Sequence, residues 1–421
     1  MNTVPTGYKQ TDIGVIPEDW EIAPLAGLIN ILHGFGFQSQ YFKSFGQYLL
    51  TTPGHFHEIG GFRDIGEKQK FYDGKLPDGY LLNEGDLIVA MTEQADGLLG
   101  SAALVPAGGN YLHNQRLGKV KILSDNVNIG FIYRLFNSKK YRNKVRETAV
   151  GTKVKHTSPS KLLEIIVAFP PNKAEQQAIA TALSNTDALI ESLEKLIDKK
   201  RQIKQGAMQE LLTPKEGWEI KKLGDVGKCH RGVSYNPDRD LHSHDKDNTV
   251  RLLRSNNIQN GNLDLNGLQF VDSERVKENQ ILQERDIVIC MANGSKQLVG
   301  KSAVFTNKNN NIRYTFGAFM GCFRTDESFA SSGYIAANFQ SFQYRSYIDI
   351  LLSGSSINNL NPSNIESILI PFPPLEEQTA IAIILSDMDE EITALEARLE
   401  KTRTLKSGMM HELLTGRIRL I

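Results

Sequence analysis

The sequence predicts an α+β protein with an internal pseudo-two-fold repeat: two similar globular α/β domains, separated and followed by two long helices. Three observations point there. Residues 175–213 recur at 377–415 without a gap. Both copies carry apolar residues at spacings of three and four, the signature of a helix packed along another helix. The stretches before each copy alternate short apolar runs with Gly- and Asn-rich turns, which favours α+β over a doubly wound sheet.

The long helices come first because a duplication of this size has to be read before single motifs. The pattern EQxAIAxxLSxxD, with Glu175, Gln176, Ala178, Ile179, Ala180, Leu183, Ser184 and Asp187, returns 202 positions later from Glu377 to Asp389. GxMxELLT closes both copies, from Gly206 and from Gly408. The apolar seam runs through Ile179, Leu183, Ile190, Leu193 and Ile197 in one copy. In the other it runs through Ile381, Leu385, Met388, Ile392, Leu395 and Leu399. Charged side chains fill the remaining faces, some at ion-pair spacing such as Glu191 with Lys195. Pro170-Pro171 and Pro373-Pro374 precede the starts, where the chain is not yet helical. At ~1.5 Å per residue, each copy makes a rod of roughly 55 Å. An ordinary core helix or a homodimerising coil would show the same period. Two matching rods in one chain favour pairing with each other.

The globular segments repeat more loosely. Trp20-Glu21-Ile22 matches Trp218-Glu219-Ile220, and the strand run 86–91 matches 286–291. Gly100 matches Gly300, and Tyr141-Arg142 matches Tyr344-Arg345 on a helix. IIVAF and ILIPF read as short buried strands ending at the Pro pairs. The expected boundaries are 1–169 and 214–371 for the globular domains, and 170–213 and 372–421 for the long helices. Scaffold positions match best and mid-domain loops worst, which suggests two sites of different specificity on one frame.

Composition narrows the class. The chain has 421 residues, with 48 basic and 48 acidic side chains and a net charge of zero. That gives no support to nucleic-acid binding from total charge, although a balanced total can hide a basic face. No apolar run approaches a membrane span, and the polar N-terminal stretch lacks a signal-peptide core, so a cytoplasmic protein is expected. Cys229, Cys290 and Cys322 show no CxxC spacing and read as reduced, buried thiols.

The order of globular part, EQxAIAxxLS helix, globular part, EQxAIAxxLS helix resembles the specificity subunit of type I restriction-modification systems. The opening GYKQTDIGVIPEDWE, the junction ELLTPKEGWEIKKLGD and the closing ELLTGRIRL carry the same likeness, which covers essentially the whole chain. The resemblance implies that each globular part is a target-recognition domain reading one half of a bipartite, asymmetric double-stranded DNA site. It implies further that the helices form an antiparallel intramolecular coiled coil, set the half-site spacing and dock two methylation subunits. Restriction (translocase/nuclease) subunits would join through that methyltransferase core. S-adenosylmethionine, ATP and Mg would then sit on the partner subunits, with no cofactor, metal or catalytic residue on this chain and no membrane contact.

Candidate DNA-binding residues follow from the side chains that pair with base edges or phosphates in turns. In the first domain these are Thr51, Thr52 and His55; Thr92 and Gln94; Asn114, Gln115 and Arg116; and Lys153, Lys155 and His156. In the second they are Arg254, Ser255, Asn256 and Asn257; Asn293, Ser295 and Lys296; Arg313 and Tyr314, paired with 114–116; and Asn358 and Asn359. Solvated turn residues of no function would look the same one by one.

Other chemistries find less support. GSKQLVGKS has its first Gly one residue too early for a phosphate-binding loop, and the first domain has no Lys there. HGFGF is a weak echo of a Gly-rich cofactor loop that CHRGVSY does not preserve. His55 with His57, and His242 with His244, are spaced for one strand face but lack repeated partner ligands. No adenine-methyltransferase NPP[FY] motif and no nuclease carboxylate cluster stands out. A stand-alone DNA-modifying enzyme and a coiled-coil interaction protein remain the alternative readings.

Overall fold

The computed structural model of the chain describes residues 4–93, 95–151, 154–259, 261–307, 312–353 and 358–420. It divides into two compact units. One comprises Met1–Glu194 with Arg398–Ile421, the other Lys195–Ala397. These differ from the four segments expected. The stretch 372–421 is not one separate piece, because Leu413 and Leu414 are buried in the first unit's core beside Trp20, Phe131 and Leu183.

The first unit is built on a four-stranded antiparallel sheet in the order Ala102–Leu104, Leu87–Ala90, Leu117–Ile122, Ile29–His33. Leu87–Ala90 is apolar at every position because both of its faces are covered. Beside it lies a five-stranded sheet whose centre is a parallel pair, Tyr48–Thr51 against Asn110–His113, with Leu50 opposite Leu112. Helices Ile129–Phe136 and Lys139–Glu147 close one side, with Phe136 stacked on Tyr141.

The second unit repeats this plan. Its main sheet runs Gly227–Arg231, Met320–Thr325, Ile287–Cys290, Ser302–Val304, again antiparallel throughout. Its other four-stranded sheet holds the matching parallel pair, Thr249–Leu253 against Tyr314–Phe316. Helices Ser332–Phe339 and Phe342–Ser353 take the places of the two helices above. The repeated glycine is explained by packing. A Cβ on Gly100 would come 3.0 Å from Val145, and one on Gly300 2.8 Å from Ile348, both on the covering helix. Both glycines also have positive φ, +75° and +85°.

The long helices are Lys173–Leu211 and Leu375–Leu414. In each unit one helix meets the other antiparallel. In the first unit Asp187 pairs with Lys406 at 2.6 Å and Glu194 with Arg403 at 2.7 Å. In the second, Lys200 pairs with Glu391, Arg201 with Glu396 and Lys204 with Asp389, each at 2.6 Å. Partner numbers fall as helix numbers rise. Exposed pairs of this kind stabilise by only ~0.2–1 kcal/mol each, so the apolar seam carries the association. Ile179, Leu183, Leu193, Ile197, Ile381, Leu385, Ile392 and Leu399 are buried, while Ile190, Met388 and Leu395 are half-buried. The early part of the seam also serves its own globular domain. Ile179 and Leu183 pack with Phe131 and Ile132, and Ile381 and Leu385 with Tyr334 and Ile335.

The repeated Glu-Gln pair has a structural explanation. Gln176 is buried, donates to the carbonyls of Pro170 (2.8 Å) and Asn126 (3.1 Å), and accepts the Asn128 N–H at 2.8 Å. Gln378 does the same with the Pro373 carbonyl (2.8 Å) and the Ser331 N–H (3.0 Å). Each glutamine thus ties the Pro-Pro corner to the start of a covering helix. Glu175 meets Arg419, which also holds Asp19 at 2.8 Å. Glu377 meets Lys215 at 3.0 Å and the Trp218 Nε1–H at 2.9 Å. No helix among the described residues is long and apolar enough to cross a membrane.

Candidate nucleic-acid interface

In each unit three strands end along one edge, and the loops leaving them carry most of the singled-out residues. In the second unit Leu253 and Phe316 are parallel partners, so the turn 254–257 emerges beside the turn 317–319. The Gly317 N–H donates to the Leu253 carbonyl at 3.0 Å. The central strand Ile287–Cys290 leaves at the same edge. There Met291 N–H and Ala292 N–H both donate to the Phe319 carbonyl, at 2.9 and 3.1 Å. The Asn293 amide donates to Ser255 Oγ at 3.3 Å, and the Asn358 amide to the Gly294 carbonyl at 3.3 Å. Ala292 bridges Asn359. Ser255, Asn293, Asn358 and Asn359 therefore share one surface, with exposed Asn256, Ser295 and Lys296 around it. Ser295 is fixed by its N–H to Asn293 Oδ1 at 3.0 Å.

The first unit builds the same edge. Thr51 pairs with His113 in the parallel register, which brings 52–55 next to 114–116. Met91 N–H donates to the Arg116 carbonyl at 2.9 Å. Thr92 Oγ1 lies 3.1 Å from His156 Nδ1, and Glu93 N–H donates to the Lys155 carbonyl at 2.9 Å. Gln115, Arg116, Lys155 and His156 are exposed. Gln94 and Lys153 lie outside the described residues.

Several candidates do not present their side chains. Thr51 is 0 % exposed and sits in the sheet. His55 is 1 % exposed. Its Nδ1 accepts the Thr52 N–H at 3.1 Å, capping the turn 53–55, and burial lowers its pKa. Asn257, equally buried, does the same job for Arg254 N–H at 2.9 Å and donates to the Asp264 carbonyl at 2.8 Å. Both are turn caps, a common use of short polar side chains. Thr92 and Asn114 are also buried, and Asn114 Oδ1 accepts the Arg116 N–H at 3.0 Å. Thr52 and Arg254, at the starts of these caps, are half-buried, and Arg254 Nε has no hydrogen-bond partner among the described residues.

Arg313 and Tyr314 are not the counterparts of 114–116. They begin the strand Tyr314–Phe316, at the end opposite the loop edge, where Arg313 faces Glu278 at 3.8 Å and buried Tyr314 accepts from Arg251 at 3.3 Å. The true counterpart is 317–319. Gly34 N–H donates to the Leu117 carbonyl and Gly232 N–H to Met320, at 3.2 and 3.1 Å. Asn114 bridges Phe35 as Gly317 bridges Val233. This also accounts for HGFGF. A Cβ on Gly34 or Gly232 would overlap the backbone of Asn114 or Gly317, so these glycines permit a chain crossing. Sequence reading missed Phe319, which is 72 % exposed. The repeat itself held the signal, once the shift of register between strands is allowed for.

His242 lies 2.8 Å from Asp272 Oδ1, and among the described residues no three His, Cys, Asp or Glu side chains are grouped to hold a metal ion. The cysteines are all buried, with burial raising the Cys229 thiol to about 12 and the Cys290 thiol to about 11. A second surface feature belongs to the first unit. A groove of about 1500 Å³ runs between the hairpin at Ile13–Ile16, the helix Lys139–Glu147 and the paired long helices at Glu194, Arg403 and Met410.

The family model for the type I restriction modification DNA specificity domain matches twice, at residues 17–205 and 215–402. The EcoKI specificity subunit of Escherichia coli K12 is 38 % identical over 203 residues, which cover 48 % of this chain and 43 % of that protein. The StySPI specificity subunit of Salmonella potsdam is 40 % identical over 186 residues, 44 % of this chain and 39 % of that one. The aligned part thus spans less than half the length of these two relatives. The putative MjaX specificity subunit of Methanocaldococcus jannaschii is 25 % identical across 98 % of this chain and 97 % of its own. The crystal structure of a type I restriction-modification S subunit from M. genitalium superposes with a TM-score of 0.59 at 16 % identity, covering 94 % and 96 % of the two chains.

Proposed function

Since those two matches take in most of the sequence, the chain belongs to the type I restriction modification DNA specificity family, and we propose that it is the DNA-reading subunit of such a system. Each globular unit reads one half of a bipartite double-stranded site. The paired helices set the spacing between the halves and dock two methylation subunits, which bind S-adenosylmethionine and carry the methyl transfer. Restriction subunits, with ATP and Mg, join through that core. This chain supplies no catalytic group.

The observation that carries the reading is the duplicated loop edge. One backbone frame appears twice, with Gln115, Arg116, Lys155 and His156 on one copy and Asn256, Asn293, Ser295, Lys296 and Phe319 on the other. A conserved frame with divergent hydrogen-bonding tips suits two base-reading surfaces of different specificity. Support for docking comes from apolar side chains left outside the seam. Leu196 and Ile203, one heptad apart, and Ile383 and Ile384 on the other helix are partly exposed in the second unit.

The test is to reconstitute the chain with its methylation subunits, supply labelled S-adenosylmethionine and sequence the modified DNA. The expected product is adenine methylation at one two-part motif with a fixed gap. Methylation without a motif, or full activity of the isolated methylation subunits at the same motif, would overturn the reading. Methyl transfer or cleavage by this chain alone would show instead a stand-alone enzyme.

A further inference from the structure

The turn 114–116 and the turn 317–319 hold the same place on the loop edge but differ in chemistry. Both are anchored identically: the third residue's carbonyl, Arg116 or Phe319, accepts the N–H of the methionine that follows the central strand, at 2.9 Å in each unit. Phe319 is held by a second such bond, from Ala292 at 3.1 Å. The backbone is therefore fixed, and only the tips differ. In the first unit the tip is Gln115-Arg116, both exposed donors. In the second it is Ala318-Phe319, both exposed and wholly apolar. The Phe319 ring is in none of the aromatic pairs among the described residues. It stands beside the polar group of Ser255, Asn293 and Asn358 through Met291 and Ala292.

Of the groups that distinguish bases in the major groove, only the thymine 5-methyl is apolar, and Ala and Phe side chains meet it. We propose that Ala318 and Phe319 recognise a thymine 5-methyl group in the half-site read by the second unit, while Gln115 and Arg116 read hydrogen-bonding base edges in the other. This rests on the reading of the chain as a DNA-recognition subunit. It assigns the second half-site a thymine at the position facing this turn. It also makes Phe319 a specificity-determining residue that no hydrogen-bond argument would select.

The experiment uses the complex with methylation subunits and duplexes carrying its methylated motif, in which each thymine is replaced in turn by uracil. That exchange removes one methyl group and leaves base pairing intact. Binding is expected to weaken about fourfold at a thymine of one half-site, the scale of one buried methyl or methylene. Phe319→Ala should weaken binding to the thymine duplex and abolish the thymine–uracil difference at that position. Phe319→Leu should keep the difference. Arg116→Ala should leave it unchanged while relaxing selection in the other half-site. The proposal is overturned if no uracil position weakens binding, or if Phe319→Ala keeps the full thymine–uracil difference. It is overturned too if Phe319→Ala loses affinity equally for both duplexes with no methyl-sensitive position, which would mark a wedge between bases. A wild-type complex that shows no two-part motif at all defeats the underlying reading instead, and that result is separate from these.

Discussion

Gln176 shows how much of the repeated motif is architecture. Its amide satisfies two carbonyls and one N–H at a corner where Pro170 and Pro171 have no N–H to donate. Gln176→Ala leaves the buried Pro170 carbonyl without its donor, at ~1–3 kcal/mol, and takes one bond each from the part-buried Asn126 carbonyl and Asn128 N–H, at ~0.5 kcal/mol each. The expected loss is about 2–4 kcal/mol, measured by urea unfolding followed through Trp20 fluorescence; the exposed neighbour change Gln177→Ala should cost far less. His113 gives a pH signature. It is buried, donates its Nε2–H to the Leu117 carbonyl at 3.0 Å, and burial lowers its pKa to about 4. The unfolded chain takes up that proton near pH 6.5, so it binds more protons than the folded chain between about 6.5 and 4. Stability is complete above that window and falls as pH drops through it. His113→Gln should flatten the fall in urea midpoint between pH 7 and 5.

The long helices were legible from sequence because duplication and period agreed, and the structure starts them at Lys173 and Leu375, just past the Pro pairs. The loop edge was only partly legible. Its counterparts sit at changing offsets: Gly34 with Gly232, Thr52 with Arg254, Asp86 with Asp286, Arg116 with Phe319. Insertions between strands move the register, so in sequence Arg313 and Tyr314 align with a turn they do not occupy. Burial was the other hidden variable. Thr51, His55 and Asn257 are residue types equally suited to a solvated tip and to a turn cap, and only the fold decides between them. For the helices, inserting four residues after Lys199 and four after Glu391 keeps the pairing that Lys200 and Glu391 mark. Each inserted turn adds about 6 Å, or about two base pairs. Methylome sequencing of the variant complex should show a gap longer by that amount; an unchanged gap removes the helices' role as spacer.

At the scale of the whole chain, the repeat separates frame from reading surface. Exchanging residues 219–372 for the equivalent segment of another family member should change one half-site of the methylated motif and leave the other and the gap intact. A change in both halves would contradict independent reading by the two units. The division of the chain also sets the order in which the two units can close during synthesis. The first unit holds Met1–Glu194 but also takes Leu413, Leu414 and Arg419 into its core and clasp. The second unit is contiguous from Lys195 to Ala397. On a ribosome adding ~5–20 residues per second, the first unit waits on the order of 10–40 s after Glu194 for its missing helix. For that interval the core around Trp20 and Leu183 lacks Leu413 and Leu414. The second unit is complete first, and the first closes only once the helix Leu375–Leu414 has been made.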